Sequence, residues 1–192
     1  MTTSDPLVVL QNSLRNSPII WKGEYPYFIH PISDGIPRMD ADVLRATRDL
    51  IVEMVDWSKV DLVVSVEAMG LPLLAAVGDA TGKPTVVIRK RSYGMDGEVK
   101  VEVSTGYSES SAFINDIKEG ERLLVVDDVI STGGTIEPIL EALEGIGAVL
   151  QEVIIAIEKG EGKERLAKKY PHWPIRTLAR IDILDGRVEI VE

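Results

Sequence analysis

The chain has 192 residues, 45% of them apolar and 27% charged, enough to bury one good core and hardly two. Its formal net charge of −10 opposes loose binding to nucleic acid or anionic membrane, and the lack of cysteine excludes disulfides and thiolate metal sites. The two histidines, His30 and His172, have no ligand-like spacing, and no signal-like or membrane-length apolar run occurs, so we expect one soluble, cytoplasmic domain over residues 1–192.

Apolar spacing alternates between helical and strand periods in the order of an α/β protein with a largely parallel sheet. Asp40 or Asp42 can cap a helix whose positions Val43, Leu44, Thr47, Leu50, Ile51, Met54 and Val55 share one face, ending near Trp57. The β-branched run Val60 to Val66 predicts a strand, Leu71 to Thr81 a helix, and Thr85 to Ile88 a second strand, together one βαβ unit. Residues Ser92 to Asn115 are polar and contain Gly94, Gly97 and Gly106. Val99, Val101 and Val103 alternate there with Lys100 and Glu102, the pattern of a β-arm or mobile flap.

From Leu123 a Leu-Leu-Val-Val run predicts a buried strand, and beyond Gly134 the residues Ile136, Ile139, Leu140, Leu143 and Ile146 recur at helical spacing. Gly145 and Gly147 are the expected helix stop. Val149 to Ile157 reads as strand and Glu161 to Lys169 as a short charged helix. Ile175 to Leu184 and Val188 to Val191 are strands joined by Asp185-Gly186. Gly160-Glu161-Gly162-Lys163 reads as a turn and helix start rather than a second phosphate loop.

The segment Asp127-Asp128-Val129-Ile130-Ser131-Thr132-Gly133-Gly134-Thr135 carries the chemistry. Hydroxyls flanking two glycines let the backbone approach an oxyanion while its N–H groups and the next helix point at it. No lysine follows the glycines, so the loop suits a phosphate monoester rather than a nucleoside triphosphate. Paired carboxylates at the carboxyl end of a strand can accept hydrogen bonds from a vicinal diol, or order magnesium through water. Arg89-Lys90-Arg91 is the clearest basic cluster in an acidic chain. The aromatics Tyr25, Tyr27 and Phe28 are open to two readings, packing or a platform for a flat ligand.

A hydrophobic run, two acidic residues, two aliphatics and Ser-Thr-Gly-Gly-Thr resemble the phosphoribosyl pyrophosphate signature of type I phosphoribosyltransferases. Glu67-Ala68-Met69-Gly70 looks like that family's pyrophosphate loop, and Arg89 to Gly94 like the basic strand end that opens its flexible loop. The wider chain, including Tyr25 to Pro37, is similar to archaeal hypoxanthine/guanine phosphoribosyltransferases of the adenine-enzyme-like subgroup. The resemblance implies a type I phosphoribosyltransferase fold with a small hood from about residues 1–40, a flexible arm over about 92–115, and a homodimer.

It further implies that Asp127 and Asp128 bind the ribose hydroxyls and that Ser131, Thr132, Gly133, Gly134 and Thr135 hold the 5′-phosphate. Ala68, Met69 and Gly70 would present backbone groups to pyrophosphate, Arg89 and Lys90 would neutralise it, and Tyr93 would lie on the closing loop. Mg2+ would be held by substrate rather than by direct protein ligands. Two departures stand out: Ser131 replaces the aspartate that faces the purine in human-type enzymes, and Met69 stands where many adenine enzymes carry arginine. A loop glutamate, Glu98 or Glu102, becomes the candidate base. The reaction implied is transfer of phosphoribose to hypoxanthine or guanine, with adenine as the alternative base. A non-catalytic phosphoribosyl pyrophosphate sensor is the alternative of another class, opposed by the acidity and by the small room for a DNA-binding module.

Overall fold

A computed structural model describes residues 5–105 and 108–191. Its elements in chain order are helix α1 (Pro6–Arg15), strands β1 (Ile19–Lys22) and β2 (Tyr25–Phe28), helices α2 (Pro31–Asp34) and α3 (Ala41–Met54), strand β3 (Leu62–Val66), helix α4 (Gly70–Thr81) and strand β4 (Thr85–Ile88). There follow β5 (Val99–Thr105), β6 (Ser108–Ile114), β7 (Arg122–Ile130), α5 (Ile136–Ile146), β8 (Val149–Lys159), α6 (Gly162–Lys169), β9 (Ile175–Leu184) and β10 (Arg187–Val191).

Six strands form one sheet in the order β10-β9-β8-β7-β3-β4, parallel except for the edge strand β10 against β9. The period of two along each strand sorts side chains to two faces. Leu62, Val64, Leu123, Val125, Val153 and Ile155 join a core with α5, whereas Val63, Leu124, Val126 and Ile154 join another with Ile51 of α3 and Leu74 and Val77 of α4. A third cluster brings Leu10 and Leu14 of α1, Phe28 and Ile32 against Ala156, Ile157, Ala179 and Ile181.

The N-terminal segment is therefore packed onto the sheet. Helix α1 has Asp5 accepting the Leu7 N–H as its cap and Pro6 in its first turn, a start signal that the apolar spacing alone did not bring out. His30 is fully buried, bonds Ser13 Oγ at 2.9 Å and caps α2 through the Ile32 N–H. Burial pushes its imidazole down to about 4, so it is a neutral tie between α1 and α2.

Several boundaries differ from the sequence expectation. Val60 and Asp61 precede β3, after a 3-10 turn at Trp57–Lys59. Gly145 lies inside α5, and Gly147 alone adopts the left-handed stop, at φ 90°. Strand β7 continues through Asp127 and Asp128 to Ile130, because the eleven-residue β8 still offers it partners at Ile155, Ile157 and Glu158. The arm is a hairpin of β5 and β6 whose inner residues Val101, Val103, Ala112 and Ile114 are buried in the α5 core. Gly106 lies outside the described residues. Among the described residues no helix is long and apolar enough to cross a membrane.

Candidate active site

The functional side chains gather beyond the carboxyl ends of the parallel strands, where an open α/β sheet leaves its ligand crevice. One cavity of about 430 Å³ is lined by Asp127 to Ile136, by Tyr25, Tyr27, Phe28 and Ser33 from the N-terminal segment, and by Lys159 at the end of β8. A second cavity of about 430 Å³ has Glu67, Ala68 and Met69 on one wall, Lys90 on another and the hairpin residues Val103 and Ser110 to Ala112 opposite. The two share Tyr27, Asp127, Asp128, Val129 and Thr135, so the acidic pair divides one elongated crevice into two lobes.

Period-two alternation gives the two carboxylates different surroundings. Asp127 is 8% exposed and accepts the Asp128 N–H at 3.0 Å; Asp128 is half-buried and lines both lobes. Burial raises the Asp127 carboxyl, with the hydrogen bonds from Asp128 and then the charge of Lys90 pulling it back down. Burial and then the neighbouring charge of Asp127 hold Asp128 well above the usual carboxylate range. Two carboxylates this close share a proton more readily than they carry two charges.

Beyond the pair, Gly133 adopts φ 81° and the loop runs into α5, whose cap Thr135 makes no side-chain capping bond. The N–H groups of Thr132 and Gly133 lie outside any helix or strand, and neither has an acceptor among the described residues. Open N–H donors at a helix start are the arrangement that holds phosphate. On the other side, Gly70 backs the acidic pair: a Cβ there would overlap Ser65 Oγ and lie 2.9 Å from Asp127 Oδ1.

The basic strand end is arranged less directly than its sequence suggests. Lys90 lines the second lobe, and its N–H is 3.0 Å from Glu67 Oε2. Arg89 is a bridge partner of Phe113, and its guanidinium sits 3.2 Å from the same Glu67 oxygen rather than in either cavity. Tyr93 is 52% exposed and accepts from the Arg91 guanidinium at 2.8 Å, also outside both lobes.

Glu98 does not suit the role of general base. Its carboxylate accepts from Ser92 Oγ, from the Tyr93 N–H at 3.0 Å and from Asn115 Nδ2 at 3.0 Å, which lowers it to about 2. A carboxylate capping its own loop has little affinity for another proton. Glu102 pairs with Lys100 and Ser111 on the hairpin and is lowered likewise.

Lys159 escaped the sequence reading. Its ammonium donates to Tyr25 Oη at 2.9 Å and to the Pro26 carbonyl at 3.0 Å, lying 4.3 Å from the Tyr25 ring centre. The available signal was a lysine at the carboxyl end of the strand beside β7.

Residues 36–178 match the family model of the phosphoribosyl transferase domain. The chain belongs to the phosphoribosyltransferase family. It is 47% identical over 181 residues to the hypoxanthine/guanine phosphoribosyltransferase of Methanocaldococcus infernus, covering 94% of this chain and 98% of that one. It is 46% identical to the enzyme of that name from Ferroglobus placidus, over 95% and 96% of the two chains. Among solved structures, the adenine phosphoribosyltransferase of Thermoanaerobacter pseudethanolicus superposes with a TM-score of 0.73 at 22% identity, over 91% of this chain and 99% of that one. The Saccharomyces cerevisiae adenine enzyme gives a TM-score of 0.73 at 22% identity, over 90% and 98%. At such identities these neighbours establish the type I phosphoribosyltransferase fold, as the family expectation had it.

Proposed function

We propose that this phosphoribosyltransferase joins hypoxanthine or guanine to phosphoribosyl pyrophosphate, releasing pyrophosphate and IMP or GMP. The carrying observation is the acidic pair shared by two lobes, one floored by Ser131 to Thr135 and the other walled by Glu67 to Met69 and Lys90. A ribose held at Asp127 and Asp128 would put its 5′-phosphate on the open N–H groups of the first lobe and its diphosphate against Lys90 in the second. In the reaction the bond from C1′ to the diphosphate oxygen breaks, a purine nitrogen bonds C1′, and the proton that nitrogen carried is released to solvent. The carboxylates favour the cationic sugar that develops, while Lys90, joined by Arg89 once it leaves Glu67, offsets the charge on the departing group.

Mg2+ fits this site. Among the described residues no three acidic or histidine side chains converge into a cage, and two carboxylates suit an ion that arrives on diphosphate oxygens and keeps water ligands. Asp127 and Asp128 would hold it through water, and it would supply positive charge at the leaving diphosphate. The homodimer and cytoplasmic location belong to the same proposal, on the family likeness.

Base choice rests on Lys159. Two of its three donors serve Tyr25 and Pro26, leaving one for an acceptor in the aromatic-walled lobe. The 6-oxygen of hypoxanthine or guanine accepts a hydrogen bond; the 6-amino group of adenine presents donors instead. The names of the relatives favour the same bases.

The test is pyrophosphate release from phosphoribosyl pyrophosphate and Mg2+ with hypoxanthine, guanine, xanthine, adenine, uracil or orotate offered singly. Release with hypoxanthine and guanine is expected; tight substrate binding without release on any base would sink the enzyme reading and promote the sensor. Lys159→Met should lower kcat/KM for hypoxanthine about ten- to a hundred-fold, the loss of one charge-assisted bond, and narrow its preference over adenine. An unchanged base preference would remove Lys159 from purine recognition.

A further inference from the structure

Helix α6 packs against the phosphate loop. Its first residue, Gly162, donates its N–H to the Ser131 carbonyl at 2.8 Å, and the Arg165 guanidinium donates to the Thr132 carbonyl at 3.3 and 3.0 Å. The approach leaves no room for a side chain at Gly162, whose Cβ would overlap Ser131 O and lie 2.7 Å from Thr132 C. At Gly133 a Cβ would come within 3.1 Å of Arg165 Nη2 and of Leu166 Cδ1. Arg165 is itself fixed by Glu137 in the first turn of α5, Nη2 to Oε2 2.6 Å, and that arginine holds the Glu137 carboxyl at about 2. Leu166, fully buried, anchors the helix in the core.

We propose that α6 is a clamp that aims the phosphate cradle: Gly162 and Arg165 hold the Ser131 and Thr132 carbonyls outward, which turns the Thr132 and Gly133 N–H groups into the cavity. The geometry follows from the peptide unit. In a trans peptide the C=O and the N–H of the next residue point in opposite directions, and cis bonds here occur only elsewhere among the described residues. Pinning each carbonyl thus orients one donor. A guanidinium on the Thr132 carbonyl also polarises that peptide and strengthens its N–H as a donor to an anion. Arg165 lines a neighbouring cavity with Ser131 and Thr132, not the one that Gly133 and the acidic pair line, and it bonds the Thr132 carbonyl, so it is a positioning residue.

The inference rests on Ser131 to Thr135 being the 5′-phosphate cradle, and the test separates the two. The full chain is titrated calorimetrically with ribose 5-phosphate, which needs the cradle, and with inorganic pyrophosphate, which does not. Arg165→Ala should bind ribose 5-phosphate about tenfold more weakly and pyrophosphate within about twofold of wild type, with a melting temperature within a few degrees. The Arg165 side chain is 46% exposed, so its loss leaves no large cavity. Gly162→Ala should shift the same affinity in the same direction. Should Arg165→Ala melt early, Arg165→Lys keeps the charge and one donor and should lose only about threefold. Lys168→Ala removes an equal charge from the same helix, where it pairs with Glu164, and should bind ribose 5-phosphate as wild type does. In turnover the KM for phosphoribosyl pyrophosphate should rise in Arg165→Ala while that for the purine stays constant.

Unaltered ribose 5-phosphate binding by Arg165→Ala, equal losses for both ligands, or an equal loss in Lys168→Ala would overturn the clamp while leaving the cradle. Failure of the wild-type chain to bind ribose 5-phosphate would overturn the cradle and the clamp together.

Discussion

Asp128→Asn should slow turnover roughly thirty- to a thousand-fold, about 2–4 kcal/mol of transition-state stabilisation, while making the ligand-free protein more stable at neutral pH. Both halves come from one geometry. Burial and then the charge of Asp127 raise this carboxyl, so its folded form binds a proton more tightly than the unfolded chain does. A carboxyl raised by folding contributes stability that is full below its ordinary value near 4 and is lost as the pH climbs through the raised value. At pH 7 the wild-type site carries strain that an asparagine, able to donate its amide to Asp127, would relieve. The gain should be on the order of 1 kcal/mol, read by urea unfolding at pH 5 and pH 8, with a flatter pH dependence in the variant. Near-wild-type turnover would take Asp128 out of the mechanism, and unchanged stability at both pH values would deny the acidic pair its repulsion.

The residues of this site were legible in the sequence to different degrees, for physical reasons. Asp127 to Thr135 stood out because a turn needs neither two carboxylates nor hydroxyls flanking paired glycines, and the cavity gathers those residues. The parallel run of β3, β4, β7 and β8 followed from buried runs separated by helical spacing, whereas their order in the sheet did not. Lys159 did not stand out, because its meaning comes from Tyr25, which only the fold brings to it. Arg165 was one more cation on a charged helix until α6 docked on Thr132. Glu98 shows the opposite failure: composition marks a carboxylate in a polar loop but not whether it faces the cavity or the backbone N–H groups beside it. The end of β7 was hidden because a strand continues as long as its neighbour does, and β8 is long.

The second large effect belongs to Gly70→Ala, a substitution that alters no charge and removes no donor. Ser65 is fully buried on β3, its Oγ without a hydrogen-bond partner among the described residues, and it stands where the new methyl group would go. The same methyl would lie 2.9 Å from Asp127 Oδ1, closer than carbon and oxygen tolerate. Either the start of α4 retreats, carrying Ala68 and Met69 out of the diphosphate lobe, or Asp127 swings away from the ribose position. Both routes damage catalysis, so kcat/KM should fall about a hundredfold, while overpacking should cost about 1–3 kcal/mol of stability. Adding Ser65→Ala removes the worse overlap but not the approach to Asp127. The double variant should therefore regain most of the stability and little of the activity, a coupling measured by a double-mutant cycle in unfolding and in turnover. Parallel recovery of both would assign the whole effect to Ser65 and leave Asp127 untouched by the glycine; recovery of stability alone would place Gly70 against the carboxylate that the reaction uses.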